Sequence, residues 1–227
     1  VQPDILVLRT QHPLNYDIRK KVAQFCNVEM DSVVESRDVD TIYEVPLMMK
    51  EQKLDSTVLS KLDLPAKKEP NLTKWKQFVD KLKNPKQEVK IGLVGKYVEL
   101  PDSYKSIMES FIHAGAMNEC KVDLVTVHSE DIDQNNIADK LKDLKGIVVA
   151  PGFGQRGIEG KILAANYART NNIPFFGICL GMQCAVVEYA RNVLGYKEAD
   201  SSVLNRRIPC PVIDLMEEQK NVTEKGG

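Results

Sequence analysis

The sequence has 227 residues, of which 43% are hydrophobic and 28% charged, as in ordinary globular proteins. Its formal net charge of -1 gives no electrostatic reason to expect binding to nucleic acid or to an anionic membrane, and no apolar stretch approaches the length of a membrane span. The five cysteines have scattered spacings without a Cys-x-x-Cys pair, which argues against a disulfide framework or a zinc site and favours a reducing, cytoplasmic setting.

Residues 1–62 are predicted to alternate between short strands and short helices. The apolar run in "PDILVLR" predicts a buried strand, and Ile18, Val22 and Phe25 recur at helical spacing in "NYDIRKKVAQFC". A short strand is expected in "DSVVES", and helices are expected in "VPLMMKEQ" and "STVLSKLDL". Residues 63–88 are polar and rich in proline, so we expect a linker that contains one helix around Trp75.

From Val89 onward the predicted strands and helices alternate regularly. The strands are expected in "VKIGLVG", "KVDLVTVHS", "KGIVVAPG" and "IPFFGI", each followed by a helical pattern. This alternation predicts an α/β fold with a parallel sheet covered by helices on both faces. Ligands of such sheets bind beyond the carboxyl ends of the strands, so the loops after Val149 and Ile178 are the candidate site. The pattern weakens after Val193, where "CPVIDLM" predicts one more strand.

Cys179 lies between a predicted strand and a predicted helix, with Gly177 and Gly181 on either side. A nucleophile at such an elbow adopts a strained backbone that neighbouring glycines accommodate, and the helix N-terminus favours a thiolate. The backbone N–H of Leu180 is placed to hold a developing oxyanion. The alternative is a small buried residue at a tight turn, and we prefer that interpretation for the other cysteines, which are Cys26, Cys120, Cys184 and Cys210.

A second Gly-rich loop, "APGFGQRG", follows the strand that ends near Val149. In a parallel sheet this loop is expected beside Cys179, where N–H groups near Gly152 and Phe153 would complete an oxyanion hole. A plain Gly-rich turn is the alternative, and the absence of a following G-K-[ST] excludes a P-loop. Among the three histidines, only His128 is predicted near this end of the sheet, and nothing in the sequence around it orients an imidazole.

Six motifs resemble the CTP synthase family in order along nearly the whole chain: "PDILVLR", "FCNV", "RDVDTIYEVP", "VGKYVELPDSYKSI", "GFGQRGIEGKI" and "IPFFGICLGMQ". The resemblance implies that residues 1–62 form the C-terminal part of a Rossmann-like amidoligase (synthetase) domain. Residues 63–88 would be the linker. Residues 89–227 would form a flavodoxin-like class I glutamine amidotransferase domain, incomplete at its C-terminus.

The resemblance also implies an activity in pyrimidine biosynthesis. CTP synthases are ligases that phosphorylate UTP with ATP and Mg²⁺, and then aminate it to CTP with ammonia from glutamine. GTP activates the glutaminase, and the family assembles as homotetramers in the cytoplasm. The expected ligands of the full enzyme are therefore UTP, ATP, glutamine, CTP, GTP and Mg²⁺, with no nucleic acid or membrane partner. No metal-binding residue is identified in this chain.

The resemblance assigns site residues position by position. Cys179 is the nucleophile that forms a glutamyl thioester. The residues expected to line the glutamine pocket are Gly152, Leu180, Gly181, Met182 and Gln183. Lys21 matches a lysine that contacts UTP or CTP across subunits, and Arg37, Asp38 and Val39 match the segment beside the ATP adenine. Without the resemblance, Lys21 would be interpreted as a solvated lysine on an amphipathic helix.

Several features depart from the family pattern. Pro151 replaces the first of two paired glycines, and Val203 stands where a glutamate grips the substrate amino group. The family's catalytic His and Glu are expected beyond Gly227, and its ATP phosphate-binding loop before Val1. We therefore expect these 227 residues alone to be inactive. One alternative is a non-catalytic nucleotide-binding or assembly fragment of a divergent homologue. Another is an unrelated elbow-cysteine hydrolase, against which "VGKYVELPDSY" argues.

Overall fold

The computed structural model describes residues 2–65, 68–202 and 208–216. The chain divides into two compact units, residues 1–84 and residues 85–227. The domain boundaries predicted above stay predictions, although the division falls inside the stretch expected to be a linker.

The first unit is built on a parallel pair of strands, β1 (Leu6–Thr10) and β2 (Val33–Arg37). Helix α1 (Tyr16–Phe25) begins where the Asn15 side chain accepts a hydrogen bond from the Ile18 N–H, as an N-cap should. Two short helices follow, α2 (Val45–Glu51) and α3 (Leu54–Lys61). The helix expected around Trp75 is α4 (Thr73–Lys83). The indole N–H of Trp75 donates to the Tyr43 carbonyl at 2.8 Å. The predicted linker stretch therefore contributes a packed helix to this unit.

A four-stranded parallel sheet forms the centre of the second unit. Its strands are β3 (Gln87–Gly95), β4 (Cys120–His128), β5 (Gly146–Val149) and β6 (Phe175–Gly177). Their spatial order is β4-β3-β5-β6, which is the flavodoxin-like order. The prediction of a parallel α/β sheet is confirmed, and the order of the strands reverses between β3 and β5.

Helices cover this sheet because residues along each strand face opposite sides in turn. On one face Leu93 and Val148 pack with α5 (Lys105–Met117). On the other face Val94 and Val149 pack with α6 (Ile137–Leu141) and α7 (Ile158–Thr170). Helix α8 (Leu180–Asn192) packs on α7, and a parallel pair follows it, β7 (Ala199–Ser201) and β8 (Cys210–Ile213). Among the described residues, no helix has the length and apolar character needed to cross a membrane.

Candidate active site

The site is built around a strained backbone at Cys179, between β6 and α8. Cys179 has φ 51° and ψ -107°, outside the regions that L-residues ordinarily adopt, and it is exposed. Both flanking glycines are required by close backbone approach. A methyl group added at Gly177 would lie 2.5 Å from the Gly181 carbonyl carbon, and one at Gly181 would lie 2.1 Å from the Val149 carbonyl oxygen. The sequence "GICLG" is therefore the elbow that the glycine spacing predicts.

The Gly-rich loop after β5 lies beside this elbow, as predicted. Strands β5 and β6 are paired, and the Ile178 N–H donates to the Val149 carbonyl at 3.0 Å. A methyl group added at Gly152 would lie 3.7 Å from Leu180 Cδ2, so the loop touches the first residue of α8. Within the described parts of the chain, the backbone N–H groups of Gly152 and Leu180 form no hydrogen bond. Both donors are free to bind an oxyanion, which is the chemistry that this arrangement can perform.

The five residues expected to line a glutamine pocket lie close together, but their environments differ. Leu180 and Gly181 are buried beneath the elbow, whereas Gly152 and Gln183 are half-buried and Met182 is exposed. Four of them are consecutive, so the first turn of α8 carries them. Residue Val203, which the resemblance places at the substrate amino group, lies outside the described residues.

Two buried lysines that the sequence analysis did not single out donate hydrogen bonds to backbone carbonyls of the Gly-rich loop. Lys161, on α7, is fully buried, and its Nζ donates to the Ala150 carbonyl at 2.7 Å and to the Pro151 carbonyl at 3.4 Å. Lys96 follows β3 and is also buried, and its Nζ donates to the carbonyls of Phe153 at 2.6 Å and Gly154 at 2.9 Å. Of the five consecutive peptide carbonyls from Ala150 to Gly154, four are thus bound by ammonium groups, and that of Gly152 is not.

Burial shifts the protonation of these groups. Burial lowers the pKa of Lys161 to about 8; the thiols of Cys184 and Cys179 act against the shift, and the Lys96 charge adds to it. Burial likewise lowers the pKa of Lys96, with the Arg156 charge contributing. Cys184, five residues after the nucleophile, is buried in the α7–α8 core, and burial raises its pKa to about 11. A thiol of that kind is unreactive, which agrees with the packing role expected for it.

The histidine expected nearest to the elbow does not reach it. His128 ends β4, which is separated from β6 by β3 and β5. Three strand spacings amount to about 14 Å, more than an imidazole side chain spans. Its Nδ1 instead accepts a hydrogen bond from the Glu130 N–H at 3.3 Å. His128 is therefore not placed to act directly as a base for Cys179.

In the first unit, the three residues matched to the adenine segment do lie together. Arg37, Asp38 and Val39 line a cavity of about 480 Å³ at the end of β2. Two partners that the sequence analysis missed orient Arg37 and Asp38. Arg9 Nε lies 3.0 Å from Asp38 Oδ1, and Arg37 Nε lies 3.0 Å from Oε1 of the buried Glu35. A glutamate directly after two buried valines was the signal that would have identified Glu35.

Lys21 lies elsewhere in this unit. It is exposed on α1 and lines a separate open concavity with Val22, Gln24, Phe25 and Cys26. The structure thus does not bring Lys21 to the Arg37–Val39 cavity. Among the residues that the structure describes, no group of three or more His, Cys, Asp or Glu side chains is arranged to hold a metal ion. These residues therefore provide no fitted site for Mg²⁺, and we derive no step through it.

Comparison with known proteins agrees with this geometry. A family model described as class-I glutamine amidotransferase matches residues 99–224, and one described as the N-terminus of CTP synthase matches residues 1–64. The CTP synthases of Cytophaga hutchinsonii and Flavobacterium johnsoniae are 63% and 59% identical to this chain over all 227 residues. The chain spans 42% of the length of each of these relatives.

A solved structure is similar to part of the chain. It is the glutaminase domain of Trypanosoma brucei CTPS with bound acivicin, with a TM-score of 0.55 and 39% sequence identity. The match covers 59% of this chain and 52% of that one. The chain therefore belongs to the class I glutamine amidotransferase family, and its first 64 residues match the N-terminal region of CTP synthase.

Proposed function

We propose that this chain is part of a CTP synthase and that its second unit hydrolyses glutamine at Cys179. The observation that carries the proposal is the exposed thiol on a strained elbow, at the N-terminus of α8 and beside a loop with a free N–H. Support also comes from relatives named CTP synthase, which match the chain from end to end.

In the proposed reaction the Cys179 sulfur attacks the carboxamide carbon of glutamine. The carbonyl oxygen gains negative charge, which the N–H groups of Leu180 and Gly152 stabilise. The C–N bond then breaks, the thiol proton leaves with the nitrogen as ammonia, and water hydrolyses the glutamyl thioester to glutamate. The resemblance assigns the proton transfer to a histidine beyond residue 227. His128 is too distant from Cys179 to make this transfer.

The first unit would serve the ATP-dependent half of the reaction. Its cavity at Arg37, Asp38 and Val39 has the guanidinium and backbone groups to receive an adenine nucleotide, and Lys21 would contact a pyrimidine nucleotide from a neighbouring subunit. This assignment extends to ATP with Mg²⁺, UTP, CTP and the activator GTP, and to a cytoplasmic homotetramer. Resemblance to CTP synthases supports each of these proposals.

Cys179→Ala in the full-length protein tests the function. Glutamine-dependent ammonia release, assayed with and without GTP, should fall by about 10³-fold or more, because the covalent route is lost. CTP formation from UTP and ATP with added ammonium chloride should stay within about twofold, since it bypasses the nucleophile. The matched control is Cys120→Ala, which removes a thiol at the opposite end of the sheet and should change neither rate. An equal loss in both variants would contradict the proposal.

A non-catalytic nucleotide-binding or assembly role is the alternative, and Pro151 favours it because a proline has no N–H to offer an oxyanion. The two functions differ in one direct measurement. The glutaminase proposal expects a glutamine-like electrophile such as acivicin to label Cys179 stoichiometrically in the full-length protein. The alternative expects nucleotide binding without such labelling.

A further inference from the structure

The feature that the proposed reaction leaves unexplained is the fully buried ammonium of Lys161. No carboxylate in the described part of the chain pairs with it. Burying a cation is costly without a counter-ion, and a methionine of similar length would fill the same space at lower cost. The N–H donors of the Lys161 ammonium are therefore explained by the groups that they bind, which are the carbonyls of Ala150 and Pro151.

Those contacts determine which way one peptide group faces. In a trans peptide the C=O of one residue and the N–H of the next point in opposite directions. Because the Pro151 carbonyl faces the buried Nζ of Lys161, the Gly152 N–H faces away from the protein interior. Cys179 is exposed on the elbow that adjoins this loop, since β5 and β6 are paired.

The loop is restrained on both sides of that peptide. The ring of Pro151 fixes φ at this position, and Lys96 binds the carbonyls of Phe153 and Gly154 beyond it. Gly152 is the one residue in the loop centre whose own carbonyl is not bound by either lysine. A rotation of the 151–152 peptide would turn the Pro151 carbonyl away from Lys161 and would turn the N–H of Gly152 inward.

We infer that Lys161 is a positioning residue that holds the 151–152 peptide in the orientation that presents the Gly152 N–H to the oxyanion formed at Cys179. Lys96 secures the far end of the same loop. This inference rests on the proposed glutaminase function for its catalytic consequence. The restraint on the loop is a separate physical claim, and it is measurable without any turnover.

Lys161→Met in the full-length protein tests both parts. Glutamine hydrolysis should lose about 10- to 100-fold in kcat while KM for glutamine changes less than about threefold, because the oxyanion exists only after the attack. Amide hydrogen exchange of the peptide that covers residues 150–157 should become faster. Alkylation of Cys179 by iodoacetamide, which forms no oxyanion, should keep its rate within about threefold.

Lys90→Met is the matched control, since it removes an exposed lysine from β3 without touching the loop, and it should leave all three measurements unchanged. Lys96→Met should also accelerate loop exchange, and it carries the test if Lys161→Met does not fold. Unchanged exchange in the loop would overturn the inference. So would an alkylation rate that falls as far as kcat, because Lys161 would then act through its charge on the Cys179 thiolate.

These outcomes separate the two proposals. If the unaltered protein releases no ammonia from glutamine but Lys161→Met accelerates loop exchange, the proposed function fails and the restraint stands. If the unaltered protein hydrolyses glutamine and Lys161→Met leaves both kcat and loop exchange unchanged, the function stands and the positioning role is refuted.

Discussion

The buried lysine makes a prediction about stability that can be tested by pH. An unfolded lysine has a pKa of about 10.4, whereas burial lowers the pKa of Lys161 to about 8 in the folded protein. Between these two values the unfolded chain binds one more proton than the folded chain does. The free energy of unfolding must therefore rise with pH in this window, by up to about 1.4 kcal/mol per pH unit. Below pH 8 Lys161 is protonated in both the folded and the unfolded state, and burying its charge lowers the free energy of unfolding by about 3 kcal/mol.

Lys161→Met removes this dependence. Between pH 7.5 and pH 9.5 we expect the unaltered protein to gain about 2 kcal/mol relative to the variant. Urea unfolding of both proteins at both pH values, followed by circular dichroism, measures the difference. Cys184, whose pKa burial raises to about 11, opposes the effect by destabilising the fold as pH rises. It titrates in both proteins, and because the Lys161 charge lowers the Cys184 pKa, the part that does not cancel adds to the expected difference.

The result that would refute the reasoning is a constant stability difference between the two proteins across this pH range. It would mean that Lys161 remains protonated as readily in the fold as in the unfolded chain, and that its ammonium is not desolvated. Lys90→Met serves again as the control, because an exposed lysine should leave the pH dependence of the unaltered protein in place. A parallel shift in both lysine variants would show that net charge, rather than burial, determines the effect.

Two further variants test the packing around the elbow. Gly181→Ala places a methyl group 2.1 Å from the Val149 carbonyl oxygen. Thermal unfolding should therefore show a loss of about 2 to 4 kcal/mol in the free energy of unfolding. A value within about 0.5 kcal/mol of the parent protein would contradict the close backbone approach at the elbow. Glu188→Gln weakens the pair between the buried Glu188 and the more exposed Arg169, in which Nη2 lies 2.7 Å from Oε1, and should cost about 1.5 to 3 kcal/mol at pH 7. Burial alone would raise the Glu188 pKa, but hydrogen bonds led by that of Arg169 lower it. The unaltered protein should therefore lose its stability advantage over the variant as pH falls below about 4.5. Acid unfolding should show the stabilities of the two proteins converging.

The alternation of strands and helices was predictable because buried parallel strands are short apolar runs and the helices between them repeat at 3.6 residues. Every strand of the central sheet lies where such a run was expected. Strand β7 (Ala199–Ser201) was missed, since three residues with a central aspartate carry no recognisable period. The helix after β4 was expected over "NNIADKLKDL", but α6 is shorter because Lys142 ends it in an extended conformation.

The elbow was predictable for a different reason, which is that its geometry is local. The strained φ of Cys179 requires small neighbours, and glycines at positions 177 and 181 are visible in the sequence. The position of the second loop needed only the rule that carboxyl ends of neighbouring parallel strands meet at one edge. The distance from His128 to the elbow was not predictable in the same way, because it depends on the order of strands, which alternation alone does not determine.

The buried charges show where a helical period is informative and where it is not. Lys161 falls three residues after Ile158 on the inner face of α7, and Glu188 falls four residues after Cys184 on the inner face of α8, so the period places both inside. A charged residue at such a position is ordinarily taken to be solvated, because its partner cannot be seen in its own helix. Glu188 is matched by a guanidinium from α7, which compensates its burial and joins the two helices. Lys161 has only loop carbonyls to bind, so its burial is explained by the orientation of that loop rather than by the stability of the core.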